Sequence, residues 1–423
     1  MNDHITINAV RGSRILDSRG YPTVQVQLTL DDGRTAYGDA PAGASTGAHE
    51  ARELRDGGTA FGGRDVTQAL HLIDTDITDL LTGRSWNTIG QVDAALAELD
   101  GTAGYSRLGA NSVVATSIAT SRAFAAAAEV PLWRWIANIA GTEPRLPVPH
   151  FNVLNGGAHA ANALDFQEFM IAPANAQSMA DAVRIGADVY HALAAIIRAR
   201  FGTVGLGDEG GFAPSIAAPE DALEMLVTAI TDAGHQPGVD EVAIALDPAA
   251  NEFYLGDGSY RIVDRTLDRD GLVGYYGQLL DTYPIRSIED GFAEDDHEGF
   301  QRMQAVLGDR LQIVGDDLYV TDSNRIREGG EERLTNAVLI KPNQIGTVSQ
   351  TLEAIAVARS LGMASMVSHR SGETTDTFIA DLVVGTGTGQ IKSGAPARGE
   401  RVAKYNRLTA IADSAPELPY GLR

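Results

Sequence analysis

Six short apolar runs in the second half of the chain each end at an ionisable residue. The run 243–246 stops at Asp247, 285–288 at Glu289 and 311–315 at Asp316; 338–340 stops at Lys341, 366–368 at His369 and 390–391 at Lys392. Successive ends lie 42, 27, 25, 28 and 23 residues apart. Four of these spacings suit one strand, one helix and two loops. The long one carries its own hairpin signal, with 252–255 and 259–263 flanking Gly256-Asp257-Gly258. A strand-helix unit repeated this often predicts an α/β chain with a (β/α)8-type, TIM-like barrel, whose strands aim their C-terminal ends at one functional face. Polar residues commonly follow strands because loops begin there, so one such residue carries little. Six of chemically matched kinds carry more.

The first part of the chain reads differently. Val24, Val26 and Leu28 alternate with polar residues before the Asp31-Asp32-Gly33 turn, which predicts a hairpin to about Gly38. Helical patterns follow at 64–82, 88–99 and 109–128. Residues 1–135 are therefore expected to form an α+β domain. The proline-bearing stretch from Gly141 to Pro149 is the expected junction, and 143–423 the expected barrel.

Composition removes whole classes of function. With 33 basic and 56 acidic side chains, the net charge of −23 argues against nucleic acid or an anionic membrane as the main partner. The absence of cysteine excludes disulfides, thiolate metal sites and cysteine nucleophiles. Met1-Asn2-Asp3-His4 lacks the basic start and apolar core of a signal peptide. The Ala-rich stretch 113–133 is interrupted by Ser117, Thr120, Ser121, Arg122 and Glu129, too polar to span a bilayer. A soluble, cytoplasmic protein with no membrane insertion is the expectation.

Asp247, Glu289 and Asp316 would converge on one rim of the predicted barrel. Three hard oxygen donors without cysteine or a paired-histidine motif suit Mg2+ rather than Zn2+. Each acid alone also fits a helix N-cap or an ion pair. The chain holds only three lysines, Lys341, Lys392 and Lys404, against 30 arginines. A coding bias against lysine explains the total but not the placement of two of them at strand ends. Lysine, unlike arginine, can be shifted toward neutrality by burial or nearby cations, so Lys341 beside a metal is a candidate base for a weak carbon acid. Glu168 and Glu209 sit among turn and apolar residues, where a raised carboxyl pKa would make a proton donor. His369-Arg370-Ser371-Gly372-Glu373 offers a cationic, hydroxyl-bearing loop for a phosphate. Gly43-Ala44-Ser45-Thr46-Gly47 is a flexible loop able to close over the site.

That last loop also matches the G-x-S-x-G elbow of serine hydrolases, but Asp39-Ala40-Pro41-Ala42 is not the buried apolar strand such an elbow needs. Gly385-Thr386-Gly387-Thr388-Gly389 lacks the spacing and early βαβ position of a dinucleotide-binding turn, and is expected to be a barrel loop.

Longer motifs run in one order through the chain. They are Arg14-Ile15-Leu16-Asp17-Ser18-Arg19-Gly20, Ser45-Thr46-Gly47, Asn155-Gly156-Gly157 and Gln167-Glu168-Phe169-Met170, then Gly207 to Pro214 and Ser287-Ile288-Glu289-Asp290. Gly315-Asp316-Asp317, Lys341, Ser368 to Glu373, Gln390-Ile391-Lys392 and Arg401-Val402-Ala403-Lys404-Tyr405-Asn406 complete the set. Together they resemble the enolase family over nearly the whole chain. The resemblance implies an enolase barrel below the N-terminal domain, homodimers and sometimes octamers, and dehydration of 2-phospho-D-glycerate to phosphoenolpyruvate in glycolysis. It implies Asp247, Glu289 and Asp316 as Mg2+ ligands, with Ser45 on a second Mg2+ as its loop closes. Lys341 would remove the C2 proton, and Glu209 would assist loss of the C3 hydroxyl with Glu168 beside it. His159, Gln167 and Lys392 would contact the substrate, and His369, Arg370 and Ser371 the region of its phosphate. A lysine base paired with one or two Mg2+ ions is already known of enolase-superfamily sites.

Gly58, Gly104-Tyr105-Ser106-Arg107 and His297 depart from the usual pattern. They leave room for an enolase-like paralogue of secondary metabolism acting on a related phospho- or phosphonocarboxylate, such as a carboxyphosphonoenolpyruvate synthase. A crystallin-like, non-enzymatic reading would be supported by loss of Lys341, Glu209 or the three acids, and all are present. Some enolases occur on bacterial surfaces, but no feature here assigns such a role.

Overall fold

The computed structural model describes residues 4–44, 46–160 and 162–422. Strands β1 (Ile5–Leu16), β2 (Pro22–Leu30), β3 (Thr35–Asp39) and β4 (Ser85–Trp86) form an antiparallel sheet in the order β3-β2-β1-β4. The alternation read in β2 sends Val24, Val26, Leu28 and Leu30 into the core. The expected helical segments appear at Thr67–Leu81 with a π turn over Ile73–Ile77, at Ile89–Asp100 and at Ala110–Ala127.

Ala110–Ala127 is buried on nearly every face, the state expected of a helix without a continuous polar stripe. Its hydroxyls are accommodated by bonding back one turn: Thr116 Oγ1 donates to Ser112 O at 2.7 Å, Thr120 Oγ1 to Thr116 O at 2.8 Å and Ser121 Oγ to Ser117 O at 2.9 Å. Strand β3 lies so close to this helix that a Cβ at Gly38 would stand 2.2 Å from Ala115 O. Among the described residues, no helix is long and apolar enough to cross a membrane.

Eight strands close the barrel: β5 (Val148–Asn155), β6 (Glu168–Pro173), β7 (Val242–Asp247), β11 (Ile285–Glu289), β12 (Gln312–Gly315), β13 (Ala337–Ile340), β14 (Ala364–Ser368) and β15 (Gln390–Lys392). Between β7 and β11, strands β8 (Tyr254–Gly256), β9 (Ser259–Ile262) and β10 (Arg265–Leu267) make a small antiparallel sheet, which accounts for the one long spacing. All six apolar runs read from the sequence are barrel strands. The repeat is not uniform, however. A strand, not a helix, follows β5, and β6 pairs antiparallel with both β5 and β7. Two helices, Met179–Phe201 and Pro219–Asp232, then lead to β7. Val314, Leu339 and Met366 form part of a small apolar cluster inside the barrel. By strand alternation, their neighbours two residues on, Asp316, Lys341 and Ser368, point to the same interior at one rim. Of the expected barrel loop Gly385 to Gly389, the first two residues are the last of helix Phe378–Thr386, and Gly387-Thr388-Gly389 joins that helix to the start of β15.

Helix Ile89–Asp100 meets the barrel through a buried carboxylate. Asp93 accepts from Ser117 Oγ at 2.7 Å and from the backbone N–H of Ser349 at 2.9 Å, the latter in the first turn of helix Val348–Ser360. Burial pushes its carboxyl up to about 6, more than the hydrogen bonds from Ser349 and Ser117 lower it. A folded-state pKa above the unfolded one adds stability below the unfolded value, which is lost as pH rises through the folded value. Measured by urea unfolding, the stability of the native chain relative to Asp93→Asn should therefore fall by about 3 kcal/mol between about pH 4 and pH 8. A gap that does not change with pH would show that Asp93 does not titrate in this contact.

Candidate functional site

Parallel strands of a barrel end on a common rim, and the side chains there are set by where each strand stops. β7, β11 and β15 end on Asp247, Glu289 and Lys392, while Asp316, Lys341 and His369 directly follow β12, β13 and β14. Because β6 runs the other way, its first residue reaches this same rim. Glu168 stands opposite both Asn155 and Asp247. One cleft is lined by Glu168, Asp247, Asp316, Lys341, His369 and Lys392, together with His159, Gln167, Glu209, Arg370 and Ser371. Glu289 does not line it and is buried beneath Lys392. Ser45 lies outside the described residues.

The two rim lysines divide the acids between them. Lys392 Nζ lies 2.8 and 2.9 Å from the two oxygens of Glu289, and 3.2 Å from both Glu168 Oε1 and Asp247 Oδ2. Lys341 Nζ pairs with Asp316 Oδ2, whose other oxygen accepts from Gln344 Nε2 at 2.9 Å. The backbone N–H groups of Asp316 and Asp317 both donate to Asp290, at 2.8 and 2.9 Å. Asp247, Glu289 and Asp316 thus share a rim but not one point. The described groups whose ligand atoms lie within 4.8 Å of one another are His159, Glu168 and Glu209, and Asp290, Asp316 and Asp317. Buried charges are stable only when paired, and each ammonium draws the carboxylates nearest to it.

Among the described residues, seven carboxylates line the cleft against three cationic side chains, Lys341, Arg370 and Lys392. Burial and neighbouring carboxylates push Glu168, Glu289 and Asp290 well above the usual carboxyl range. Glu168 Oε2 is buried with no hydrogen-bond partner. Excess negative charge on hard oxygen donors fits a divalent cation, which Asp247, Glu289 and Asp316 could hold. Lys341 differs from the expectation of a lowered pKa. Burial is the largest influence and lowers it, with Arg370 and Lys392 acting the same way, but the carboxylates around it, Asp316 foremost and Glu289 behind it, together outweigh them, so the ammonium is favoured.

Across the cleft, Glu209 sits in the turn Gly207-Asp208-Glu209-Gly210-Gly211. Glycine is needed at Gly207, where a Cβ would stand 2.6 Å from Asn155 Oδ1, and at Gly210, where φ is +86°. Asn152 Nδ2 donates to Glu209 Oε2 at 2.9 Å; His369 Nε2 lies 3.2 Å from that oxygen, and His159 Nδ1 3.7 Å from Oε1. Burial raises Glu209, yet His369, His159 and Arg401 outweigh it and hold this carboxyl well below the usual range. The expectation that both glutamates are raised fails for Glu209 because cationic and ring N–H groups surround it. Two close carboxylates cannot both ionise cheaply, so the proton of the pair resides on Glu168.

Two participants carried no local signal in the sequence. Glu50 binds the buried Arg370 guanidinium bidentately, at 2.8 and 3.0 Å, and Asn343 Oδ1 accepts from it at 3.1 Å. Ser371 Oγ accepts from Ala44 N at 2.7 Å, and Ala42 and Gly372 exchange backbone hydrogen bonds of 2.8 Å. The segment around Glu50 is therefore docked on the Arg370-Ser371 loop. The other is Arg401, fully buried behind His369. Lys404 stands apart from the rim, binding Glu373 Oε2 at 2.8 Å and Thr374 O at 2.6 Å.

Two family models match this architecture. The one described as the enolase N-terminal domain spans residues 7–136, and the one described as the enolase C-terminal TIM barrel domain spans residues 143–418. With an α+β domain, a closed barrel and a buried acidic cleft at one rim, the chain belongs to the enolase family, among the lyases of the enolase superfamily.

Proposed function

We propose that the chain dehydrates 2-phospho-D-glycerate to phosphoenolpyruvate and water, as in glycolysis, with Mg2+ as the divalent cation. The observation that carries this reading is one cleft that gathers Lys341, the buried glutamates Glu168 and Glu209 and surplus carboxylates. A hydrogen beside a carboxylate is a very weak acid because its removal builds a second negative charge on the same group. Bound at Asp247, Glu289 and Asp316, with a second ion at Ser45, Mg2+ would supply stabilisation of that charge.

The protein groups then have distinct tasks. Lys341 takes the C2 proton on Nζ. It can do so only as the free amine, so Asp316 must give up the ammonium, after which burial, Arg370 and Lys392 all favour the neutral form. Lys392, once released by Asp247 and Glu289, meets the substrate carboxylate, with His159 and Gln167 completing the contacts. Arg370 and Ser371 hold the phosphate, with His369 beside them. Glu209 assists departure of the C3 hydroxyl with Glu168 adjacent, and because the pair's proton rests on Glu168, the pair rather than Glu209 alone donates it. The C2–H and C3–O bonds break, the C2–C3 double bond forms, and the hydroxyl leaves as water. A homodimer in the cytoplasm follows from the family resemblance.

Gly58, Gly104 to Arg107 and His297 do not line the cleft, so nothing there favours a phosphonocarboxylate substrate. The purified chain should convert 2-phosphoglycerate to an ultraviolet-absorbing enol phosphate in Mg2+ and stop when a chelator is added. No product at high enzyme concentration would favour the paralogue reading instead. Lys341→Ala should lower kcat by about 10^2–10^4-fold, the usual worth of a general base. Lys341→Arg, which keeps the charge but cannot deprotonate, should be as inactive. Normal turnover by either variant would remove Lys341 from the mechanism.

A further inference from the structure

Arg401, on helix Gly399–Ser414, is 0% exposed, and its Nε lies 3.3 Å from Oε1 of the adjacent Glu400. Its guanidinium donates to Arg370 O at 2.5 Å, Ser371 O at 2.6 Å and Asp208 O at 3.2 Å, tying the loops that carry His369 and Glu209 to the helix. Stapling loops accounts for those three contacts. It does not account for the contact from Arg401 Nη1 to His369 Nδ1 at 2.6 Å.

A guanidinium has no acceptor and does not deprotonate in proteins, so at that contact Nδ1 must present its lone pair. The ring is neutral: burial, reinforced by Arg401, pushes His369 down to about 4 against the opposing pull of Glu209 and Glu373. A neutral imidazole with an accepting Nδ1 carries its one proton on Nε2. That nitrogen lies 3.2 Å from Glu209 Oε2. The backbone at Gly394 crowds the ring from the side, since a Cβ there would stand 3.1 Å from His369 Cε1. The opposite tautomer would set an Nδ1–H against the guanidinium and an Nε2 lone pair against the carboxylate, both repulsive in a buried setting.

We infer that Arg401 is a positioning residue that fixes His369 in the Nε2–H tautomer and so keeps an N–H rather than a lone pair beside the Glu209 carboxylate, 3.2 Å away and without a formed hydrogen bond in the chain alone. Together with Asn152, which donates to the same oxygen at 2.9 Å, that N–H favours the ionised form of Glu209. The tautomer stands on geometry alone, whereas its consequence for turnover rests on the dehydration reading above.

Nitrogen-15 NMR of histidine-labelled full-length protein separates the two. With the His369 signals assigned by their loss in His369→Gln, the native chain should show a protonated Nε2 and an unprotonated Nδ1, unchanged from about pH 5 to pH 8. Arg401→Met should yield a tautomer mixture or a ring that titrates within that range. Its kcat for 2-phosphoglycerate should fall by about 10–100-fold, with KM altered far less. Arg401→Lys, which restores a cationic donor, should recover the Nε2–H signal and part of kcat. An Nδ1–H signal in the native chain overturns the inference without any variant, and so does an unchanged tautomer in Arg401→Met. Failure of the native chain to turn over 2-phosphoglycerate would instead overturn the dehydration reading and leave the tautomer result standing.

Discussion

More carboxylates are buried on one barrel rim than there are cations to meet them, and much of the surrounding structure follows from that imbalance. Taking an ionised carboxylate out of water costs several kcal/mol unless a partner compensates. The rim answers in three ways. Lys392 is shared among Glu289, Glu168 and Asp247, and Lys341 is given to Asp316. Asp290 is bound by two backbone N–H groups. The remaining charge is reduced by keeping Glu168 protonated beside Glu209. None of these arrangements cancels the surplus, which is why a divalent cation fits the cleft better than a further hydrogen bond.

The barrel was legible because its strands are buried on both faces. Such strands read as short, unbroken apolar runs, and each stops where the chain re-enters a polar rim, as at Asp247 and Glu289. Strand direction has no comparable local signature. Nothing in the composition of β6 says that it runs antiparallel, and β5 and β6 were not read as strands. That reversal has a consequence at the rim. It brings the start of β6, rather than its end, to the cleft, so Glu168 arrives beside Asp247 although the two are far apart in sequence.

At the site, the legible residues were those whose type was unusual for their position, such as a lysine in a chain of arginines or a glutamate between glycines. Protonation states were not legible, because they depend on neighbours supplied by other elements. Lys341 retains its proton through Asp316, 25 residues away, and Glu209 loses its own through His369 and Arg401. Glu50 and Arg401 were missed for the same reason. The Glu50–Arg370 pair spans 320 residues and the Arg401–His369 contact 32, and no periodicity within a segment encodes either.

These pairings also bear on how a site so heavily charged can become reactive. The lysines and acids that neutralise one another in the chain alone are the same groups assigned to base, substrate contact and metal ligands. Releasing Asp316 from Lys341 would remove the strongest of the influences that raise the amine's pKa, and releasing Asp247 and Glu289 from Lys392 would free a cation for an incoming carboxylate. Each exchange, on the reading proposed above, would replace one paired charge by another rather than leave a carboxylate bare in the interior. Glu209 opposite is held differently, by groups that exchange nothing: Asn152, the nearby His369 ring and, through it, Arg401. Its surroundings are therefore fixed while the rim beside it is rearranged, and of the two glutamates only Glu168, through Lys392, is tied to that rearrangement.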